Sequence, residues 1–250
     1  MKEPMKNGSV RKIITLREDD DPIDILKSCG GYYACPKDKN RKRLGPLVGY
    51  AGKYSTENGE KQWVGDVYFN FAKAEEYPYV LKHFAEQMRK KLLAVMKNID
   101  IFCGAPIGGY DFATVLGLVY DRRKIKAEKK VIALATGYER EKTISVFGRH
   151  DVKRGERVAI VEDVCNNFST TKQLIDLIEV YGGQVTAIVC VLNRSLAIED
   201  EYGEIPVISL IRMPISEYRQ DDPAVAKDIA VGNIIWKPKD EWDRLRAAMN

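Results

Sequence analysis

The sequence predicts an α/β fold, a parallel twisted sheet flanked by helices across residues 77–215. Three observations carry this. Short apolar, β-branched runs recur: IDIFC at 99–103, VIALA at 131–135, VAIVE at 158–162 and VTAIVCVL at 185–192. Segments with helical period alternate with them, which implies parallel strands joined by right-handed crossovers. Each run is followed by a glycine-rich or polar turn: GAPIGG, GYEREK, EDVCNNFSTT and NRS. In a parallel sheet such turns share the carboxyl edge, where ligands bind.

The elements follow in order. Residues 1–76 form a smaller N-terminal hood: 28–76 is rich in Gly, Tyr and Lys and lacks helical period, and WVGDVYFNF at 63–71 reads as a strand. Residues 77–97 place Leu81, Phe84, Met88, Leu92 and Val95 three to four apart, an amphipathic helix with a basic outer face. After the strand at 99–103 and its glycine turn, FATVLGLVYDRR is a second helix. VIALA is the next core strand, and TGYEREKT is a charged loop. The helix at 170–181 carries Leu174, Leu177, Ile178 and Tyr181 on one face and stops at Gly182-Gly183. Residues 216–250 are a C-terminal extension packing on the core, ending in a short helix with Trp242 and Leu245 turned inward.

Composition narrows the function. In 250 residues, 45% are hydrophobic and 30% charged, as in ordinary globular proteins. A net charge of +4 suits anionic small molecules and is too weak to argue for nucleic acid. The basic run at 37–43 has no interleaved aromatics for stacking and reads as a solvated insertion. The five cysteines are odd in number and lack CxxC spacing, so reduced thiols in a cytoplasmic protein are expected. The N-terminal MKEPMKNGSVRK has no signal-peptide core, and the longest apolar run is far too short to span a bilayer. With only His83 and His150, neither a histidine zinc site nor a Ser-His-Asp triad is expected.

The chemistry concentrates at VAIVEDVCNNFSTTKQL, residues 158–174. Four apolar residues run into Glu162-Asp163, and two adjacent acids beside a core are costly unless something faces them. The turn beyond opens a helix, whose free N–H groups and dipole attract anions. Asn166, Asn167, Ser169, Thr170 and Thr171 add side-chain donors. Phosphate held on one side and hydroxyls on the other describe a ribose 5-phosphate.

This stretch resembles the PRPP-binding motif of type I phosphoribosyltransferases. It carries Phe168 in a loop where that family usually has a Thr-Thr-Gly-like sequence, so an asparagine is expected to take the left-handed turn. FCGAPIGGYDFA at 102–113 resembles the family's pyrophosphate loop, which implies that Gly104, Ala105, Pro106, Ile107, Gly108 and Gly109 bind pyrophosphate. GYEREKT occupies the place of the mobile catalytic loop of orotate phosphoribosyltransferases, with Arg140 and Lys142 as its cations. VLNRS at 191–195 resembles that subfamily's VLxDR element, implying that Arg194 holds the base. ILKSCGGYYACPKD resembles the subfamily's opening and gives Lys37 a ligand contact. The resemblance covers about residues 25–212. It implies a Mg²⁺-dependent transfer of ribose 5-phosphate from PRPP to a nucleobase, orotate before a purine. Glu162 and Asp163 hold the ribose hydroxyls, 166–171 the 5-phosphate, and the metal is held through PRPP and water. A homodimer is implied by the resemblance alone. A non-catalytic PRPP sensor is the alternative outside catalysis.

Overall fold

The computed structural model describes residues 13–133 and 141–249. Its centre is a six-stranded sheet built from Ile101–Gly104 (β1), Arg123–Lys126 (β2), Arg157–Cys165 (β3), Gln184–Asn193 (β4), Glu201–Tyr202 (β5) and Ile205–Arg212 (β6), in the order β5-β6-β4-β3-β1-β2. All neighbours pair in parallel except β5, which runs antiparallel to β6. Successive residues of a strand face opposite sides, and the burial follows. Phe102, Ala159 and Val161 pack with the helices Pro78–Gln87 (α1) and Gly109–Tyr120 (α2), through Val80, Leu81, Phe84, Phe112 and Leu116. Ile101, Cys103, Val158 and Ile160 pack on the other face with Leu174 and Ile178 of helix Ser169–Val180 (α3). A parallel sheet covered on both faces needs the continuous apolar runs that the sequence shows.

Several expectations change. The helix expected over 77–97 ends its first run at Gln87, then continues as a short turn, Arg89–Leu92, and a 3₁₀ turn, Met96–Asn98. Its apolar face is retained: Leu81, Phe84, Met88 and Leu92 are buried. The helix expected through Arg123 stops at Tyr120, where Asp121 turns left-handed (φ 51°) and its N–H bonds Gly117 O. That stop frees Arg123–Lys126 to become the edge strand, anchored by one buried side chain, Ile125. VIALA is therefore no core strand. Glu128–Ala133 pairs antiparallel with Glu141–Val146 as a separate hairpin, and Leu134 and Ala135 lie outside the described residues. The reason is visible in its side chains: Glu128, Lys129 and Lys130 precede the apolar part, and Val131 is exposed. A strand buried on both faces does not tolerate that pattern. β6 was not singled out in the sequence.

The hood and the C-terminal segment form one unit. The hairpin Leu47–Thr56 with Gly59–Gly65 takes Ile234–Ile235 as a parallel third strand beside Leu47–Val48. WVGDVYFNF is two strands, not one, because the chain breaks pairing at Asp66, whose carbonyl accepts from Cys35 N–H at 2.7 Å. Trp242 and Leu245 are turned inward, one helical turn apart on Trp242–Ala248. They pack against Tyr33, Cys35, Val48 and Tyr50 of the hood rather than against the core, and Trp242 Nε1 donates to Gly30 O at 3.0 Å. All five cysteines are buried and none is in a disulfide. Among the described residues no helix is long and apolar enough to cross a membrane.

Leu245 is fully buried in this hood cluster. Leu245→Ala should cost about 2–5 kcal/mol in urea unfolding, and a loss below about 0.5 kcal/mol would show that the tail does not hold the hood.

Candidate active site

The site lies where β1 and β3 end side by side. β3 runs through both acids to Cys165, so Glu162 and Asp163 are strand residues and the loop proper is only Asn166–Phe168. Beneath them the loop after β1 doubles back. Ala105 N–H donates to Val161 O at 2.9 Å, and α2 begins at Gly109. The peptide joining Pro106 to Ile107 is cis. A Cβ on Gly109 would lie 2.0 Å from Val161 O, and one on Gly108 would lie 2.2 Å from Asp163 Oδ2. Only glycine permits that approach. Asp163 thus sits at the N-terminus of α2, and the start of α3 stands close by.

The turn into α3 is left-handed, but Phe168 takes that conformation (φ 56°, ψ 18°) and no asparagine does. Such a backbone costs a residue with a Cβ roughly 1–2 kcal/mol. The ring offsets this by burial, worth about 1.5–3 kcal/mol. It is 3% exposed and stacks on Tyr202 with centroids 5.3 Å apart. Phe168 therefore offers a ligand only its backbone.

The side-chain donors divide. Thr171 is buried and its hydroxyl hydrogen-bonds Glu162 Oε1 at 3.4 Å, so it braces the acid rather than facing the loop. Asn166 Nδ2 donates to Glu217 Oε1 at 2.7 Å. Asn167 Oδ1 accepts from Ser169 N–H at 3.1 Å and caps the turn. Ser169 is exposed and Thr170 half-buried at the first turn of α3.

Both acids are crowded by protein. Burial, then the neighbouring Asp163 charge, pushes the Glu162 carboxyl up to about 8 against the ordinary 4.5, with the Thr171 hydrogen bond and Lys129 working the other way. Burial raises Asp163 too, opposed by the Val164 N–H and by Lys239. Glu75, on Ala72–Glu75, is pushed up to about 7 by burial and by the Asp163 and Asp111 charges. Glu75, Tyr68 and Lys239 therefore interact electrostatically with Asp163, and Asp111 with Glu75; none of the four carries a site role in the sequence reading. They lie on four separate segments with no shared pattern. Only Asp111, at the start of the helix after the glycine turn, had a local signal.

The expected base contacts are elsewhere engaged. Arg194 is 5% exposed, ion-pairs with Glu217 and lies 3.9 Å over the Tyr50 ring. Lys37 pairs with Asp66 at 2.6 Å, and Arg43 of the same basic run reaches Asp228 at 3.1 Å. The run is thus pinned to the hood and tail. Arg140 lies outside the described residues. Lys142 has a strand backbone opposite Ile132, and its side chain is not described.

Comparison with known proteins agrees with this geometry. No protein-family model matches the chain. It is 28% identical over 169 residues to the orotate phosphoribosyltransferase of Caldanaerobacter subterraneus subsp. tengcongensis, covering 65% of this chain and 78% of that one. It is 34% identical over 120 residues to the adenine phosphoribosyltransferase of Acetivibrio thermocellus, covering 45% of this chain and 68% of that one. The chain belongs to the type I phosphoribosyltransferases. Phosphoribosyltransferases are pentosyltransferases, so the chain is an enzyme of that class. The crystal structure of orotate phosphoribosyltransferase from Aeropyrum pernix shares the fold, with a TM-score of 0.50 at 13% identity over 76% of this chain and 92% of that one. The strand-acid-loop-helix arrangement at 158–171 and the glycine loop at 104–109 are the parts of this phosphoribosyltransferase that the sequence located.

A carboxyl raised by folding makes the native state hold more protons than the unfolded chain. For Glu162 that window runs from about pH 4.5 to about 8, and native stability falls as pH rises through it. Glu162→Gln should therefore gain in Tm over the parent between pH 5 and pH 9. A Tm difference independent of pH would show that Glu162 is not held protonated.

Proposed function

We propose that the chain transfers 5-phosphoribosyl from PRPP to a nucleobase, orotate first, releasing pyrophosphate. The observation that carries this is the contact of Gly108 with Asp163. It sets two helix N-termini, of α2 and α3, around one pair of carboxylates. Two anion sites flanking hydroxyl acceptors match a donor with phosphate at one end and pyrophosphate at the other. Orotate is favoured because the orotate-named relatives align with 64–65% of this chain and the adenine-named ones with 45–50%. The 34% identity to an adenine-named relative supports a purine as the second reading.

In this reading the N–H groups of 167–170, with Ser169 and Thr170, take the 5-phosphate. Asp163 accepts from a ribose hydroxyl, and Glu162, its carboxyl pushed up by burial and by Asp163, donates to or accepts from the other. The 104–109 loop turns its amides to the pyrophosphate, with Arg140 and Lys142 as proposed cations. Positioning and charge neutralisation then carry the rate. Among the described residues no group of three or more His, Cys, Asp or Glu side chains is placed to hold a metal ion alone. A cation beside Asp163 would be shared with the substrate. Mg²⁺ would be held there mainly by PRPP and water, and supplies charge neutralisation on the leaving pyrophosphate. A homodimer in the cytoplasm completes the proposal, and buried thiols without a disulfide suit that reducing compartment.

Pyrophosphate release from PRPP and Mg²⁺, with orotate or adenine as acceptor, tests this. Release is expected with orotate, and Asp163→Asn should lower kcat/KM about 10- to 100-fold, the loss of a charge-assisted hydrogen bond. Release with adenine alone replaces the substrate. PRPP binding without release from any base makes the chain a sensor.

A further inference from the structure

Glu217 lies on the segment that leaves the sheet after β6, remote in sequence from every loop of the site. Its Oε1 nevertheless accepts from two donors at once, the Arg194 guanidinium and Asn166 Nδ2. Asn166 is the first residue of the phosphate loop. The Arg194 N–H donates to Cys165 O, one residue earlier, at 2.9 Å, and Arg194 O accepts from Ile215 N–H at 3.1 Å. The guanidinium covers the Tyr50 ring, and the Tyr50 hydroxyl donates to Val67 O at 2.7 Å in the hood strand Val67–Phe69. An unbroken series of contacts thus runs from the phosphate loop through Glu217, Arg194 and Tyr50 into the hood. The Arg194 and Glu217 side chains are 6% and 19% exposed, so neither has water as a ready substitute partner.

A carboxylate with two donors on one oxygen fixes both donors relative to each other. Glu217 therefore joins the Asn166 side chain to Arg194, and through Arg194 and Tyr50 to the hood. We propose that Glu217 is a positioning residue for the phosphoribosyl donor, setting the phosphate loop against the hood through Asn166. The inference rests on the PRPP reading above. Glu217 acts only through Asn166 and touches no substrate. Releasing Asn166 lets the N–H groups of 167–170 wander from the phosphate, so donor affinity falls while the bound donor reacts at its usual rate.

The test is a double-mutant cycle on the full chain, with Kd for PRPP and Mg²⁺ by calorimetry and Tm in parallel. Asn166→Ala and Glu217→Gln should each weaken PRPP by about tenfold, and the double variant no further than the weaker single one. For the Glu217 variants the KM for base at saturating PRPP and kcat should stay within about twofold. Glu217→Gln leaves Arg194 short of a counter-charge and can fail to fold. Glu217→Asp covers that case, since it keeps the charge beside Arg194 and draws the carboxylate back from Asn166. It should weaken PRPP as Asn166→Ala does, at an unchanged Tm. Additive losses in the cycle, or a lowered Tm with PRPP affinity intact, overturn the proposal, as does a change confined to the base KM. Parent protein that binds PRPP without releasing pyrophosphate sinks the transferase reading but leaves the cycle readable. Parent protein that binds no PRPP sinks both.

Discussion

The site exists because one loop is allowed to touch a strand. Gly108 and Gly109 bring residues 104–109 against Val161, Glu162 and Asp163 so closely that a methyl group at either position has no room. The contact does more than fill space. It sets the N-terminus of α2 beside Asp163, where the helix dipole partly compensates the negative charge. It also fixes the separation between the two helix starts, and so the span of any ligand carrying anions at both ends. Packing of α2 on the sheet through Phe112 and Leu116 then holds the arrangement rigid.

The same closeness creates an electrostatic problem. Glu162 and Asp163 are adjacent, Glu75 feels the Asp163 charge, and burial weakens the solvation of all three. A protein cannot keep all of them ionised and dry. Burial and the neighbouring charges push Glu162 and Glu75 up toward their protonated forms, while Lys239, Lys129 and the N–H groups around Asp163 work the other way. A site in that condition accepts cationic charge readily and can hand hydrogen bonds to hydroxyls. Both properties come from the crowding itself, not from any one side chain.

The sequence disclosed the parts whose signal is local. Four apolar residues ending in two acids and a hydroxyl-rich helix start stand together in the chain, so VAIVED and Ser169–Thr171 could be read directly. The glycine turn after IDIFC was legible for the same reason. The edge strand at 123–126 was not, because a single apolar residue, Ile125, gives no period to read. VIALA misled because its apolar residues resemble a core strand while the charges before them place it in a surface hairpin. Nothing local to Lys37 or Arg194 shows that Asp66 and Glu217 face them. Phe168 was judged by its backbone cost alone, since Tyr202, its stacking partner, is distant in sequence.

Glu217 and Tyr50, which sequence reasoning missed, are tied to the site by one buried charge, that of Arg194. Arg194 illustrates why such residues are needed. A guanidinium at the end of β4, almost without solvent, is tolerable only with a carboxylate and hydrogen bonds to satisfy it. Glu217 supplies the charge, and Tyr50 supplies a ring face on which the cation rests. Both come from outside the parallel sheet, Tyr50 from the hood and Glu217 from the segment after β6. The core cannot bury Arg194 alone, so hood and tail must close over the strand ends for it to be stable. Strand pairing between Ile234–Ile235 and Leu47–Val48 joins hood and tail in that closure. The part of the chain with the weakest sequence signal is thus the part that completes the site, and it does so by satisfying a charge that the core presents.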